Sequence, residues 1–216
     1  MSSPTASALA ALSDDLAQAV ANAAPSVAYL DANPRRDLSA IAWDAHHLIT
    51  TDHLVESDES AAFRFEGAPL QARLVARDPA TDVALFRTEA TLTPLARADL
   101  SALAVGRFVL ALARDEDGAL GATFGIISSL DGAWRTWRGG EIERFIRPDL
   151  NFYRGFSGGP LVDSAGQLIG MNTAGLSRRS ALTIPLETLE RVVAVLASGR
   201  SPRRGYLGVA LQAIEL

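Results

Sequence analysis

The 216-residue chain contains no cysteine, and that absence removes whole classes of chemistry before any motif is read. There is no disulfide framework, no thiol nucleophile, no thiolate zinc site and no iron–sulfur cluster. The compartment stays open, because a domain of this length buries enough apolar surface to stand without disulfides. A basic excess is also missing. The 25 acidic and 20 basic residues give a formal charge of −5, which argues against general binding of nucleic acid or anionic membranes. No apolar run reaches the roughly 18 residues of a membrane-spanning helix, since Arg, Asp or Gly interrupts each candidate. The opening Met1-Ser2-Ser3-Pro4-Thr5 lacks the basic region and continuous apolar stretch of a signal peptide.

What remains is a globular composition, 48% apolar and 21% charged. Residues 1–12 are Ala/Ser-rich and are expected to be a loose segment. Ser13 before Asp14 and Asp15 reads as an N-cap with an acidic first turn. It opens a short helix that carries Leu16, Val20 and Ala23 on one side and stops near Pro25. Short segments rich in Val, Ile, Phe and Thr follow, at 27–30, 39–43, 48–51, 61–65, 71–76, 83–87, 108–113, 123–130, 142–147, 160–163, 168–173 and 181–184. A dozen short strands at this spacing predict an all-β, antiparallel barrel or sandwich, not alternating β–α units. Leu186, Leu189, Val193 and Leu196 then recur at helical spacing between Pro185 and Gly199, predicting a C-terminal helix over 186–198 laid on the barrel. Beyond it, Arg200-Ser201-Pro202-Arg203-Arg204 reads as a linker and 206–216 as the first strand of another unit.

Three segments can carry chemistry. Gly155-Phe156-Ser157-Gly158-Gly159-Pro160-Leu161 places one hydroxyl between glycines just before a strand. Glycines there let the backbone turn sharply and aim N–H groups at one point, as an oxyanion site requires. An arbitrary Gly-x-Ser-Gly-Gly is more often a plain turn; the extension to Pro160-Leu161 makes this string more specific. The β-pattern after it excludes a strand-to-helix nucleophile elbow. A serine needs a base, and the chain has three histidines, at 46, 47 and 53. His53 directly follows an apolar strand, whereas His46 and His47 fall in a hairpin turn. The base in turn needs an orienting carboxylate, for which Asp82, at the head of the strand Val83-Ala84-Leu85-Phe86, is the candidate. Asp78 before Pro79 reads as a turn aspartate. The order His53, Asp82, Ser157 is that of chymotrypsin-type barrels, with steps of 29 and 75 residues.

These strings resemble the protease domain of the HtrA (Do-like) serine proteases, from about Asp15 to Leu211. The similarity is carried by Thr50-Thr51-Asp52-His53-Leu54-Val55, by Asp78-Pro79-Ala80-Thr81-Asp82-Val83-Ala84-Leu85 and by 155–161, supported by 166–174, the terminal helix and Arg204-Gly205-Tyr206-Leu207-Gly208-Val209. The resemblance implies a trypsin/chymotrypsin-like double antiparallel β-barrel, with barrels at roughly 25–100 and 105–185 inside a protease domain of 13–199. It also implies a PDZ domain after 200–216, a trimeric homo-oligomer assembled through the N-terminal region, and a periplasmic or cell-envelope setting in which the full-length form can be membrane-tethered. Its substrates would be unfolded or misfolded proteins or peptides, cleaved through His53, Asp82 and Ser157, with the N–H groups of Gly155 and Ser157 as oxyanion hole. No metal or organic cofactor, and no nucleic acid, enters.

Phe156 stands where the family usually has Asn, and Ser39-Ala40 replaces a Ser-Gly or Thr-Gly pair. Phe156, Asn172, Thr173, Ala174 and Gly175 are the expected lining of the substrate pocket. The alternative to an active endopeptidase is a latent or inactive protease-like binding or regulatory module with an unformed oxyanion hole; Phe156 and the family's switching of the Arg154–Gly155 peptide motivate it. Asp44 with His46-His47 reads as a hairpin tip before a metal site, and Asp115-Glu116-Asp117-Gly118 as a solvated turn before a calcium loop. The arginine pairs at 35–36, 178–179 and 203–204 read as solvent-facing charges, with a border of the substrate cleft as the alternative for Arg178 and Arg179. Trp134 and Trp137, in a Gly-flanked polar loop, are either a contact surface or packed back on the barrel.

Overall fold

The computed structural model describes residues 4–31, 38–56, 59–177 and 180–199. A helix, α1 (Pro4–Ala23), leads through a 3-10 turn into β1 (Val27–Asp31), β2 (Ser39–Ala42), β3 (His47–Thr50), β4 (Ser60–Phe65), β5 (Ala68–Asp78) and β6 (Val83–Arg87). These close a barrel in the order β1-β2-β3-β6-β5-β4. The chain continues as β7 (Phe108–Arg114), β8 (Leu120–Asp131), the short pair β9 (Trp134–Arg135) and β10 (Glu141–Ile142), β11 (Phe145–Asp149), β12 (Pro160–Val162), β13 (Leu168–Thr173) and β14 (Leu182–Pro185), and ends in α2 (Leu186–Ala197). The second barrel closes as β11-β14-β13-β12-β7-β8. With the β9–β10 hairpin set aside, its strands pair in the same sequence as those of the first, so one antiparallel pattern is used twice.

The double barrel is the expected one, and its departures from the sequence reading are local. The segment at 142–147 divides into β10 and β11, and β9 was not anticipated, because two-residue strands carry no measurable period. A larger correction concerns the start. Residues 4–12 belong to α1, and Asp14 and Asp15 lie inside the helix instead of in its first turn. Alanine has the highest helix propensity and proline is tolerated in a first turn; the interspersed serines had suggested a loop. The helix docks through buried Ala19 and Ala23 onto the turn before β13. Asn22 Nδ2 donates to Ala165 O at 3.3 Å, and a Cβ on Gly166 would stand 2.5 Å from Ala19 O.

The two barrels share a core. Ala28, Leu30, Ala40, Leu48, Phe63, Ala84 and Phe86 fill the first barrel, with Phe63 and Phe86 edge-to-face at 5.2 Å. The alternate residues of the same strands, Val27, Ile41, Ile49, Val83 and Leu85, point the other way and join Val109, Leu161, Met171 and Leu189 in a second cluster. Strands buried on both faces explain the unbroken apolar runs read in the sequence. Each such Ile, Leu or Val contributes roughly 1.5–3 kcal/mol, so residues from different barrels hold fixed relative positions. Arg114, buried on β7, adds polar ties: Nε donates to Val27 O at 2.8 Å, Nη2 to Ala24 O at 2.8 Å and Nη1 to Gly118 O at 2.6 Å. Burial lowers its pKa, partly offset by the charges of Glu66 and Asp115. The linker and strand expected at 200–216 lie outside the described residues.

Candidate active site

β3 ends at Thr50, and an extended Thr51 leads into a 3-10 turn, Asp52–Leu54, that carries His53. Arg77 on β5 pins this turn. Its Nε pairs with the buried Asp52 carboxylate, and its Nη2 donates to Asp52 O and Val55 O, both at 3.2 Å. His53 is held at two points by Asp82. Its backbone N–H donates to Oδ1 at 2.9 Å, and its Nδ1 lies 3.0 Å from Oδ1 and 2.9 Å from Oδ2. A carboxylate only accepts, so Nδ1 carries the proton of this bond and Nε2 is the basic nitrogen of the neutral ring.

Asp82 sits at φ 62°, a left-handed conformation that Asp tolerates better than most residues. The turn before it is built by Asp78, which accepts from Ala80 N at 3.2 Å and Thr81 Oγ1 at 2.7 Å; this is the turn role read for it. From the separate β9–β10 hairpin, Thr136 Oγ1 donates to Ala80 O at 2.7 Å. The Asp82 side chain is buried and also accepts from Thr173 Oγ1, which in turn accepts from Gly175 N at 2.8 Å.

Ser157 lies between β11 and β12. Gly158 has φ +82°, and a Cβ there would meet Ser39 O at 2.0 Å, so only glycine fits. Gly158 N donates to Asn172 O and Asn172 N to Gly159 O, both at 2.9 Å. Ser157 Oγ accepts from Ala174 N at 3.3 Å. At the next residue, a Cβ on Gly175 would stand 2.5 Å from His53 Nδ1 and 2.8 Å from Asp82 Oδ2. Neighbouring residues that follow one strand therefore touch the serine and the His53–Asp82 pair, which brings all three side chains to the same strand end, where the barrels meet. Among the described residues no hydrogen bond joins Ser157 to His53.

The expected pocket residues separate into different places. Phe156 is turned away into the core, 5% exposed, with ring edges against Phe152 and Tyr153; an apolar ring gains more there than beside an open hydroxyl. Asn172, fully buried, is a brace: Nδ2 donates to Pro160 O and Oδ1 accepts from Thr183 Oγ1, both at 3.0 Å. Thr173 serves Asp82 and not a pocket wall. Ala174 and Gly175 do line a cleft of about 670 Å³, together with Leu176, Ser177 and Trp137. The tryptophans divide likewise. Trp137 is 73% exposed and carries Arg138 stacked at 4.5 Å, while Trp134 packs edge-on against Phe145. Sequence reasoning missed Ser39, Arg77 and Thr136 as supports of the site; none carries a local signal, because each acts across the fold.

Elsewhere, Asp44 closes the hairpin tip, accepting from His46 N at 2.8 Å and His47 N at 2.9 Å, with His47 Nδ1 also at 2.9 Å. Partial burial raises its pKa, but these hydrogen bonds and the His47 charge outweigh that and hold it below the usual value. Asp115 closes the β7–β8 turn by accepting from Ala119 N at 2.8 Å. The arginine pairs at 35–36, 178–179 and 203–204 fall outside the described residues.

Two barrels of like topology, with the histidine and aspartate on one and the serine on the other, define the chymotrypsin-type class of double-barrel proteins. The chain belongs to the trypsin-like peptidase domain family, whose model matches residues 38–171, and within it is of HtrA type. It is 31% identical over 176 residues to the "Probable periplasmic serine endoprotease DegP-like" of Pseudomonas putida, covering 78% of this chain and 36% of that protein. To the protein of the same name in Halomonas elongata it is 32% identical over 190 residues, covering 84% of this chain and 40% of that one. Among solved structures, the HtrA-type protease AlgW with decapeptide superposes with a TM-score of 0.74 at 26% identity, covering 93% of this chain and 73% of the other. The chain thus spans well under half the length of the curated relatives it matches.

Proposed function

We propose that the chain is a serine endopeptidase unit acting on unfolded or misfolded polypeptides in envelope protein quality control. The observation that carries this reading is the His53–Asp82 pair, at 2.9 Å, packed against Gly175 next to the Ala174 N–H that is bonded to the Ser157 hydroxyl. Ser157 Oγ attacks the scissile carbonyl carbon while His53 Nε2 takes its proton. The carbonyl π pair moves to oxygen, and the Gly155 and Ser157 N–H groups receive that oxyanion, a contribution of roughly 3–4 kcal/mol per donor in comparable sites. Collapse expels the amine, which takes the proton back from His53. Water then repeats the sequence on the acyl-enzyme and frees the acid. Asp82 holds the imidazole in one tautomer and stabilises the imidazolium. No step calls for a metal or organic cofactor.

The periplasmic names of the relatives support the envelope setting, and the family resemblance supports a trimer and a longer, PDZ-bearing protein. Ser157→Ala is expected to abolish cleavage of casein; equal cleavage by both forms overturns the assignment. One observation favours a second reading, a resting site that is latent: Ser157 Oγ is engaged by the Ala174 N–H and not by His53. Such hydrogen bonds often tighten only when substrate binds. Titration with a fluorophosphonate separates the two readings, since a latent site is not labelled stoichiometrically at Ser157.

A further inference from the structure

The carbonyls on either side of Phe156 are both held by one residue of the other barrel. Ser39, the first residue of β2, is fully buried. Its hydroxyl donates to Gly155 O at 2.7 Å, and its N–H donates to Ser157 O at 3.0 Å. The same Oγ accepts the Arg114 N–H at 3.0 Å, so its single proton is committed to Gly155, which can only accept. The Ser39 carbonyl is occupied as well, by Thr50 Oγ1 at 2.7 Å.

We propose that Ser39 is a positioning residue for the oxyanion site, its hydroxyl fixing the Gly155–Phe156 peptide plane that lies between the N–H groups of Gly155 and Ser157. The assignment rests on the acyl-transfer role given above to Ser157. Peptide groups are planar, so holding the Gly155 carbonyl orients the 155–156 plane and holding the Ser157 carbonyl orients the 157–158 plane. The plane between them carries the Ser157 N–H. Its rotation is blocked by Phe156, whose ring is fixed in the core. Gly155, at φ 90°, has no Cβ to restrain it and would otherwise swing with little resistance. The isolated bridge between Leu38 and Gly155 is a backbone tie and survives any change at Ser39. The hydroxyl is the side-chain restraint added to it. Arg114 keeps that hydroxyl from following the loop, because its guanidinium is anchored on three carbonyls of other segments. Displacing a reacting or stabilising group by about 1 Å costs on the order of 10²-fold in rate.

The test uses the full chain, with fluorescein-labelled casein as substrate and a fluorophosphonate as probe of Ser157. Ser39→Ala is expected to lower kcat and the fluorophosphonate labelling rate together, by about 10- to 100-fold, with KM within about 3-fold of the parent. Ser39→Thr, which keeps the hydroxyl, is expected to restore most of both rates. If Ser39→Ala does not fold, Ser39→Cys, close in volume and a weak donor, carries the same comparison at an unchanged thermal midpoint. Wild-type kcat in Ser39→Ala, or a threonine variant as impaired as the alanine one, overturns the proposal while leaving the protease reading intact. A parent chain that neither cleaves casein nor takes the label overturns the protease reading, and this assignment with it.

Discussion

Thr173, the last residue of a second-barrel strand, donates its hydroxyl proton to the carboxylate of Asp82 at the head of a first-barrel strand. Asp82 thereby has donors from both barrels, two from His53 and one from Thr173, and the two halves of the site are locked by a side-chain bond.

Removing that bond is expected to leave the buried Asp82 carboxylate with one donor fewer, at a cost of about 1–3 kcal/mol. Thr173→Val should lower kcat on casein by roughly 10-fold or more, with KM little changed, while Thr173→Ser should keep near-parent activity. Steady-state kinetics of the two variants checks this, and a valine form with full kcat would show that Asp82 needs no third donor.

Gly175 is a second place where one atom decides the outcome. A methyl there meets His53 Nδ1 and Asp82 Oδ2 well inside van der Waals contact. Gly175→Ala is expected to push the imidazole off Asp82 and reduce kcat about 100-fold, with the thermal midpoint within a few degrees of the parent. Kinetics and a melting curve measured side by side separate this from general unfolding.

Stability at acid pH should depend on Glu143, which follows β10 and faces α2. Partial burial raises its pKa, but hydrogen bonds from Arg191 and Thr188 and the Arg191 charge outweigh this and hold it below its ordinary 4.5. A carboxylate depressed in the folded state stabilises above its unfolded pKa, and that contribution is lost as pH falls through the folded value. Because the pair is partly exposed, the effect is about 1 kcal/mol or less. Glu143→Gln should melt lower than the parent near pH 6, with the gap closing at a pH well below the ordinary 4.5. Thermal unfolding at the two pH values is the measurement.

Much of this molecule was legible before its fold was known. Strand periods, the helical spacing of Leu186, Leu189, Val193 and Leu196, and the three short strings around His53, Asp82 and Ser157 are local signals, and local signals survive in a single sequence. The alanine-rich start was misread because serine favours both loops and caps. Phe156 is expected to line the substrate pocket because adjacency to Ser157 is all that the sequence shows. Its ring direction is set by Phe152, Tyr153 and the second-barrel core.

The sequence alone supplied the candidates for the proposed chemistry, since with no cysteine the strings around His53, Asp82 and Ser157 stand out, and it determined the strand content that allows two barrels. Tertiary structure decided which residues support that chemistry. Ser39 reaches Gly155 across 116 positions, Thr173 reaches Asp82 across 91 and Thr136 reaches Ala80 across 56. No period or spacing encodes such pairs. They exist because alternate faces of the first barrel's strands are buried against the second, and that shared core fixes where the hydroxyls of one barrel meet the backbone and carboxylate of the other.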